Sequence, residues 1–252
     1  MGRLDGKIAV VTGGAKSLGR AFADALAGEG AAVAIGDIAD GSETAAAIAA
    51  RHGTACLFHP LDVADESSVA DFVAWARQSF GTPDILINNA AVFADARLGP
   101  YHQMTVEELQ RIMGVNVIGS FLTIKHIGPL MAEAGRGRIV NIGSGTAYKG
   151  MPGMAPYVAS KAAILGLTRS LARELGPSGV TVNTLAMGLI ESDSIRGNEE
   201  HMAYTDRVLA SRSIPRAGTQ DDPIGALIFL ASDESAFMTG QTVMIDGGSV
   251  NV

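Results

Sequence analysis

The stretch Ile8-Ala9-Val10-Val11-Thr12-Gly13-Gly14-Ala15-Lys16-Ser17-Leu18-Gly19 carries a β-branched apolar run straight into a glycine-rich turn, and a segment of helical period, Ser17 to Glu29, follows. Strand, turn and helix in that order are what a phosphate-binding turn requires. The glycines let the backbone approach a pyrophosphate, and the helix N-terminus offers unpaired N–H groups and a positive dipole end. A plain βα connection has the same outline, so the turn needs other features before it means more.

The alternation continues outward from this stretch. Strand-like runs occupy Lys7 to Thr12, Ala32 to Gly36, Ala55 to His59, Ile85 to Asn88, Arg138 to Ile142, Thr181 to Leu185 and Thr242 to Ile245; helix-like segments fall at about 40–51, 66–79, 105–134, 157–175 and 222–231. Such a βαβα series, with strands apolar on both faces, predicts an α/β fold: a Rossmann-type, doubly wound parallel sheet with helices on both faces. The chain has 252 residues, 47% hydrophobic and 18% charged, enough for one large core, and α/β chains of about 250 residues often form a single domain. No Pro- or Ser-rich linker and no repeat divides it, so residues 1–252 are read as one domain. Gly188 to Ala217 breaks the alternation: it is polar, charge-mixed and without strand period, and is read as a substrate-covering segment at about 188–217.

Nineteen Lys and Arg against 26 Asp and Glu leave a net charge of −7, with the basic residues scattered, which argues against nucleic acid or an anionic membrane as partner. The charged start Met1-Gly2-Arg3-Leu4-Asp5-Gly6-Lys7 lacks a signal-like apolar stretch, and no apolar run approaches the roughly 20 residues of a bilayer span, so a cytoplasmic location is expected. Cys56, the one cysteine, lies in an apolar run and is expected to pack rather than react. The histidines at 52, 59, 102, 126 and 201 show no metal-ligand spacing, so no metal is expected.

Other residues give the glycine turn its meaning. The second strand ends in Asp37, whose carboxylate can accept hydrogen bonds from an adenosine ribose diol and would repel a 2′-phosphate. Lys16 could instead pair with that phosphate, but one flexible cation does not easily neutralise a fixed anion, so NAD is favoured over NADP. Tyr157 and Lys161 lie four apart on a helical segment and share a face. A free tyrosine titrates near 10, and the neighbouring ammonium is expected to lower that value, letting the phenol exchange a proton with an alcohol or carbonyl oxygen. Ser144 follows the strand Arg138 to Gly143 at its carboxyl end, where parallel sheets place ligands, and its hydroxyl could hold the reacting oxygen.

In combination these residues make the chain resemble the classical short-chain dehydrogenase/reductase family over nearly its whole length. Thr12 to Gly19 resembles TGxxxGxG, Asp62-Val63 resembles the adenine-contacting acidic pair, and Asn88-Asn89-Ala90-Ala91 resembles NNAG. Asn116 matches the family's helix Asn, Ser144 its catalytic Ser, and Tyr157 to Lys161 its YxxxK. The resemblance implies a seven-stranded sheet, hydride transfer at the nicotinamide, and catalysis by Asn116, Ser144, Tyr157 and Lys161, with Asn116 holding a relay water and Lys161 also binding the nicotinamide ribose. It implies further cofactor contacts from Gly13, Lys16, Ser17, Leu18, Gly19, Asp37, Asp62, Val63, Asn89, Ala90, Ala91, Met187, Gly188 and Ile190. It also implies a homotetramer formed through the two long helices.

Three positions depart from that pattern. Ser17 replaces the middle glycine of the turn and is accommodated if its φ is negative, its hydroxyl then able to hydrogen-bond a phosphate. Ala91 adds one methyl near the nicotinamide. Met187 replaces the Pro before Gly188, which predicts a more mobile loop beyond it.

A wall of Thr146, Tyr148, Met151, Met154 and Tyr157, facing Leu189, Ile190, His201, Met202 and Tyr204, is mostly apolar and suits a medium-sized hydrophobic or aromatic secondary alcohol and its ketone. The alternative is an NADP-dependent 3-oxoacyl thioester reductase of the acyl-carrier-protein type. Such reductases dock an acidic partner on basic residues, whereas this chain is acidic and has Gly135 and Ser178 at two positions where they carry Arg. A nucleotide-binding sensor is the rival of another class, opposed by the presence of Ser144, Tyr157 and Lys161. Enoyl reduction goes with a wider Tyr-to-Lys spacing than the four found here. The tail Asp246 to Val252 resembles the family's DGG ending and is expected to reach a neighbouring subunit's site.

Overall fold

The computed structural model describes residues 2–93, 99–190 and 209–250. Within them β1 (Ile8–Thr12), β2 (Ala32–Asp37), β3 (Cys56–Pro60), β4 (Ile85–Asn88), β5 (Gly137–Ser144), β6 (Val180–Met187) and β7 (Thr242–Ile245) form one sheet in the order β3-β2-β1-β4-β5-β6-β7. Every pairing is parallel. The helices are α1 (Ser17–Gly28), α2 (Ser42–His52), α3 (Glu66–Phe80), α4 (Val106–Met113), α5 (Gly119–Glu133), α6 (Thr146–Lys149), α7 (Ala155–Leu175) and α8 (Ile224–Ala231).

The central strands are apolar on both faces because helices roof both. Ala9, Val11, Val33, Ile35, Ile85 and Ile87 share one cluster with Phe22 and Leu26 of α1, Ile48 of α2 and Leu227 of α8. The alternate residues Val10, Ala34 and Leu86 join Phe72 of α3, Ile127 of α5 and Ala172 of α7 in another. Successive side chains of a strand point to opposite faces, so an unbroken apolar run fills both layers at once. The strand order reverses between β1 and β4, and the carboxyl ends there leave a crevice.

A chain of buried polar side chains crosses the second layer. Thr123 Oγ1 donates to Asn88 Oδ1 (2.7 Å), Asn88 Nδ2 to Asn141 Oδ1 (2.9 Å), and Asn141 Nδ2 to Thr168 Oγ1 (2.9 Å), which also bonds Thr184 Oγ1 (2.8 Å). It ties α5, β4, β5, α7 and β6 together. Cys56 on β3 is 4% exposed, and burial pushes its thiol up to about 12.

The structure corrects the expected helix over 105–134, which a π-helical turn, Gly114–Ile118, divides into α4 and α5. The wider turn accompanies an Asn116 side chain directed inward: its Oδ1 accepts from the Val92 N–H (2.7 Å) and its Nδ2 donates to Ser160 Oγ (3.0 Å). Strands β5 and β6 run further than expected, through Ser144 and Met187, which pair in register. Of the expected covering segment, residues 191–208 lie outside the described residues. Its described ends meet, with Ile190 bridging Gly218 and Arg212 donating to the carbonyls of Leu189 and Arg216 (both 2.6 Å). Among the described residues no helix is long and apolar enough to cross a membrane, and no group of His, Cys, Asp and Glu could hold a metal ion.

Candidate active site

The glycine turn is packed from the end of β4. Asn89 Nδ2 donates to the carbonyls of Thr12 (3.1 Å) and Gly13 (3.0 Å), while Thr12 Oγ1 accepts from the N–H groups of Asn89 (3.1 Å) and Ala90 (3.0 Å). A Cβ at Gly19 would collide with the Gly13 carbonyl oxygen and come within 2.6 Å of Asn89 Nδ2, so only glycine lets the helix start this close to the strand. Gly13 itself has φ +64°. Ser17 shares that left-handed backbone: its φ is +50°, so the condition for an unstrained serine is not met, because the clamped turn imposes such a backbone there whatever the side chain.

Helix α1 begins without a side-chain cap, its N-cap Lys16 being exposed, so its first N–H groups remain available to an anion. Asp37, 8% exposed at the end of β2, accepts from the Ala15 N–H through Oδ2 and the Ala39 N–H through Oδ1 (both 3.0 Å). Two backbone donors pin the carboxylate beside the turn and leave it lone pairs for a diol. Asp62 is exposed and accepts from the Ala64 N–H (2.9 Å), and Val63 packs over Gly119; both lie outside the central cavity. Uncapped N–H groups for a pyrophosphate and a pinned carboxylate for a ribose fit a nicotinamide dinucleotide, which when bound supplies the hydride acceptor or donor.

The cavity at the crevice is lined by Ser17, Leu18, Asn89, Ala91, Phe93, Ser144, Thr146, Lys149, Met151, Tyr157, Lys161, Met187, Gly188, Leu189, Ile190 and Asp246, with Ile142, Gly143 and Gly145. Of the expected catalytic residues it brings together Ser144, Tyr157 and Lys161. Asn116 stands behind them, 1% exposed and outside the lining, joined to α7 through Ser160, whose hydroxyl donates to the Tyr157 carbonyl (2.7 Å).

Ser144 Oγ accepts from the Thr146 N–H (3.2 Å) and Thr146 Oγ1 (2.9 Å), which leaves its single proton to donate. Lys161 Nζ donates to the Ile142 carbonyl (2.9 Å) and lies 5.8 Å from the centre of the Tyr157 ring. The expectation that Lys161 lowers the phenol is overturned: burial pushes Tyr157 up to about 12, against the opposing hydrogen bond with Ser144, and pulls Lys161 down to about 8. Desolvation disfavours the charged form of each group. The chain alone therefore presents a neutral phenol, a proton donor to a carbonyl oxygen that Ser144 can hold at the same time.

Of the expected substrate wall, Thr146, Met151, Tyr157, Leu189 and Ile190 reach the cavity. Met154 does not: it is 1% exposed and packs with Ile112 and Tyr157, because its position at the start of α7 faces the core. Tyr148 is half-buried outside the lining, and His201, Met202 and Tyr204 lie outside the described residues.

A family profile described as Enoyl-(Acyl carrier protein) reductase matches residues 13–250. The 3-alpha-(or 20-beta)-hydroxysteroid dehydrogenase of Mycobacterium tuberculosis is 37% identical over 249 residues, covering 99% of this chain and 91% of that protein. The sorbitol dehydrogenase of Cereibacter sphaeroides is 37% identical over 257 residues, covering 98% of each. The crystal structure of an NAD+-bound xylitol dehydrogenase matches with a TM-score of 0.91 at 30% identity, covering 97% of this chain and 99% of that one.

The chain belongs to the short-chain dehydrogenase/reductase family. It is an oxidoreductase of that type, and a nicotinamide dinucleotide is the family's cofactor. Among the cavity residues of this short-chain dehydrogenase/reductase that sequence reasoning missed are Ile142, Gly143 and Gly145 around Ser144, and three whose side chains matter more. Phe93 stacks obliquely on Tyr157, ring centres 5.0 Å apart, and only its place just after the Asn-Asn-Ala-Ala run pointed there. Lys149 sits one turn beyond Ser144. Asp246, expected to reach toward a neighbour, lines this chain's own cavity.

Proposed function

We propose that the protein transfers hydride reversibly between NAD(H) and a medium-sized hydrophobic or aromatic secondary alcohol and its ketone, with Tyr157 as acid and base. The observation that carries this reading is the buried Tyr157 beside Ser144 and Lys161 at the end of β5, in a cavity whose apolar wall includes Phe93, Met151, Leu189 and Ile190 and whose polar lining includes Thr146, Lys149 and Asp246. The pinned Asp37 supports NAD over NADP, since a 2′-phosphate would meet a carboxylate that cannot swing away. A relay water at Asn116 and substrate contacts from His201, Met202 and Tyr204 belong to the same proposal. So does a homotetramer, supported by the exposed Ile118 and Phe121 near the start of α5.

A second reading, NADP-dependent reduction of a 3-oxoacyl thioester, shares an acyl-carrier-protein substrate with the enoyl reductases for which the matched family is described. Against it, Arg136, next to one position where such reductases carry Arg, is committed to Asp84 (2.6 Å), and Gly135 has φ +70°, which a side chain would strain. The deciding experiment follows cofactor reduction by absorbance with NAD and NADP against aromatic, alicyclic, sugar and hydroxyacyl substrates. Turnover of aromatic or alicyclic alcohols with NAD is expected; activity confined to hydroxyacyl thioesters with NADP overturns the proposal. Tyr157→Phe should lower turnover at least about a hundredfold while NADH binding persists.

A further inference from the structure

The substrate side of the cavity holds two ionisable groups that proton transfer does not use. Asp246 is 6% exposed and forms part of the lining. Its Oδ1 accepts from the N–H groups of Gly248 (2.9 Å) and Ser249 (3.2 Å), but Oδ2 is buried and has no hydrogen-bond partner. Gly188 makes room for it: a Cβ there would lie 2.8 Å from the Asp246 Cβ, whereas one at Gly145 would only touch Oδ2, at 3.4 Å. Arg212, which also lies against Gly188, spends its two terminal nitrogens on the carbonyls of Arg216 and Leu189. An acceptor left unpaired in a buried site costs the free energy of its lost hydration; Oδ2, like the Arg212 Nε nearby, has no partner and almost no accessible surface, so a group in the cavity pairs with it once the Asp246 carboxylate turns outward.

Lys149 lines the same end. Its Nζ donates to Ser249 Oγ (2.6 Å), a neutral partner, and among the described residues no carboxylate lies within ion-pair distance of it, although Asp246 is near enough to act on its charge. The ammonium therefore keeps donors to spare.

Resting on the dehydrogenase reading above, we infer that the substrate carries a second hydroxyl, held at this far end between Lys149 Nζ and Asp246 Oδ2. A hydroxyl accepts from an ammonium and donates to a carboxylate at once. A carboxylate on the substrate would meet the charge of Asp246, an ammonium that of Lys149, and an apolar end would leave Oδ2 unpaired. The class is thus a diol, or the hydroxyketone it becomes, with an apolar frame between its two oxygens. Sites built to bond a hydroxyl discriminate strongly against analogues that lack it.

The test compares cyclohexanol, the 1,2-, 1,3- and 1,4-cyclohexanediols and 4-hydroxycyclohexanecarboxylate as substrates with NAD. For the wild type, kcat/KM for the best diol should exceed that for cyclohexanol about tenfold or more, the worth of a hydrogen bond to a charged group. Lys149→Met and Asp246→Asn should each collapse that ratio, mainly through KM. Because Asp246 also holds the tail, Lys149→Met is the deciding variant if Asp246→Asn melts early. A wild-type ratio near one, a ratio untouched by Lys149→Met, or a preference for the hydroxy acid overturns the inference alone. Wild-type turnover of none of these alcohols overturns the dehydrogenase reading and the inference with it.

Discussion

Ser17 holds a left-handed backbone at φ +50°, the one non-glycine residue to do so among the described residues. That conformation costs a residue with a side chain about 1–2 kcal/mol, while a glycine there would cost about 0.4–1 kcal/mol in the freedom it gives the unfolded chain. Ser17→Gly should therefore stabilise by up to about 1.6 kcal/mol, seen as a rise of no more than about 3–6 °C in a thermal melt. A lowered Tm would mean that the Ser17 side chain contributes more than its backbone loses. The sign of this φ was not legible from the residue, because it is set by the Asn89 clamp and the tight approach of Gly19 to Gly13. Tyr157 and Lys161 teach the same lesson in electrostatics: their spacing was readable, but the depth of burial that governs their titration depends on what folds over them.

At the level of elements, periodicity made all seven strands and most helices legible, since an apolar run must be covered on both faces wherever it occurs. Features that depend on pairing across the sheet were not. Nothing local marks Asn88, Asn141 and Thr168 as links of one buried chain, or Asn116 as the inward side chain of a π-helical turn, because each partner comes from a distant element. Thr168→Val keeps the shape but strands Asn141 Nδ2 and Thr184 Oγ1 without their shared partner. It should cost about 1–3 kcal/mol, lowering the urea midpoint with the slope unchanged. An unshifted midpoint would show the chain of hydrogen bonds to be dispensable.

For the molecule as a whole, the buried active-site pair ties stability to pH. Lys161 titrates near 8 when folded and at 10.5 in an unfolded chain. Between those values the unfolded state binds the extra proton, so stability rises with pH; above about 10 the unfolded Tyr157 loses its proton before the folded one does, and the trend reverses. The stability advantage of Lys161→Met over the wild type should shrink between pH 7.5 and 10 in denaturant titrations, and a constant difference would refute a depressed Lys161. The sheet's edge has a consequence of another kind. Cys56 sits on β3, the outermost strand, with its thiol both covered and shifted far above neutral pH. An alkylating reagent can reach its sulfur only when this border opens, either β3 from the sheet or α2 from above it, so the protein carries a clock whose ticks are the openings of its own margin.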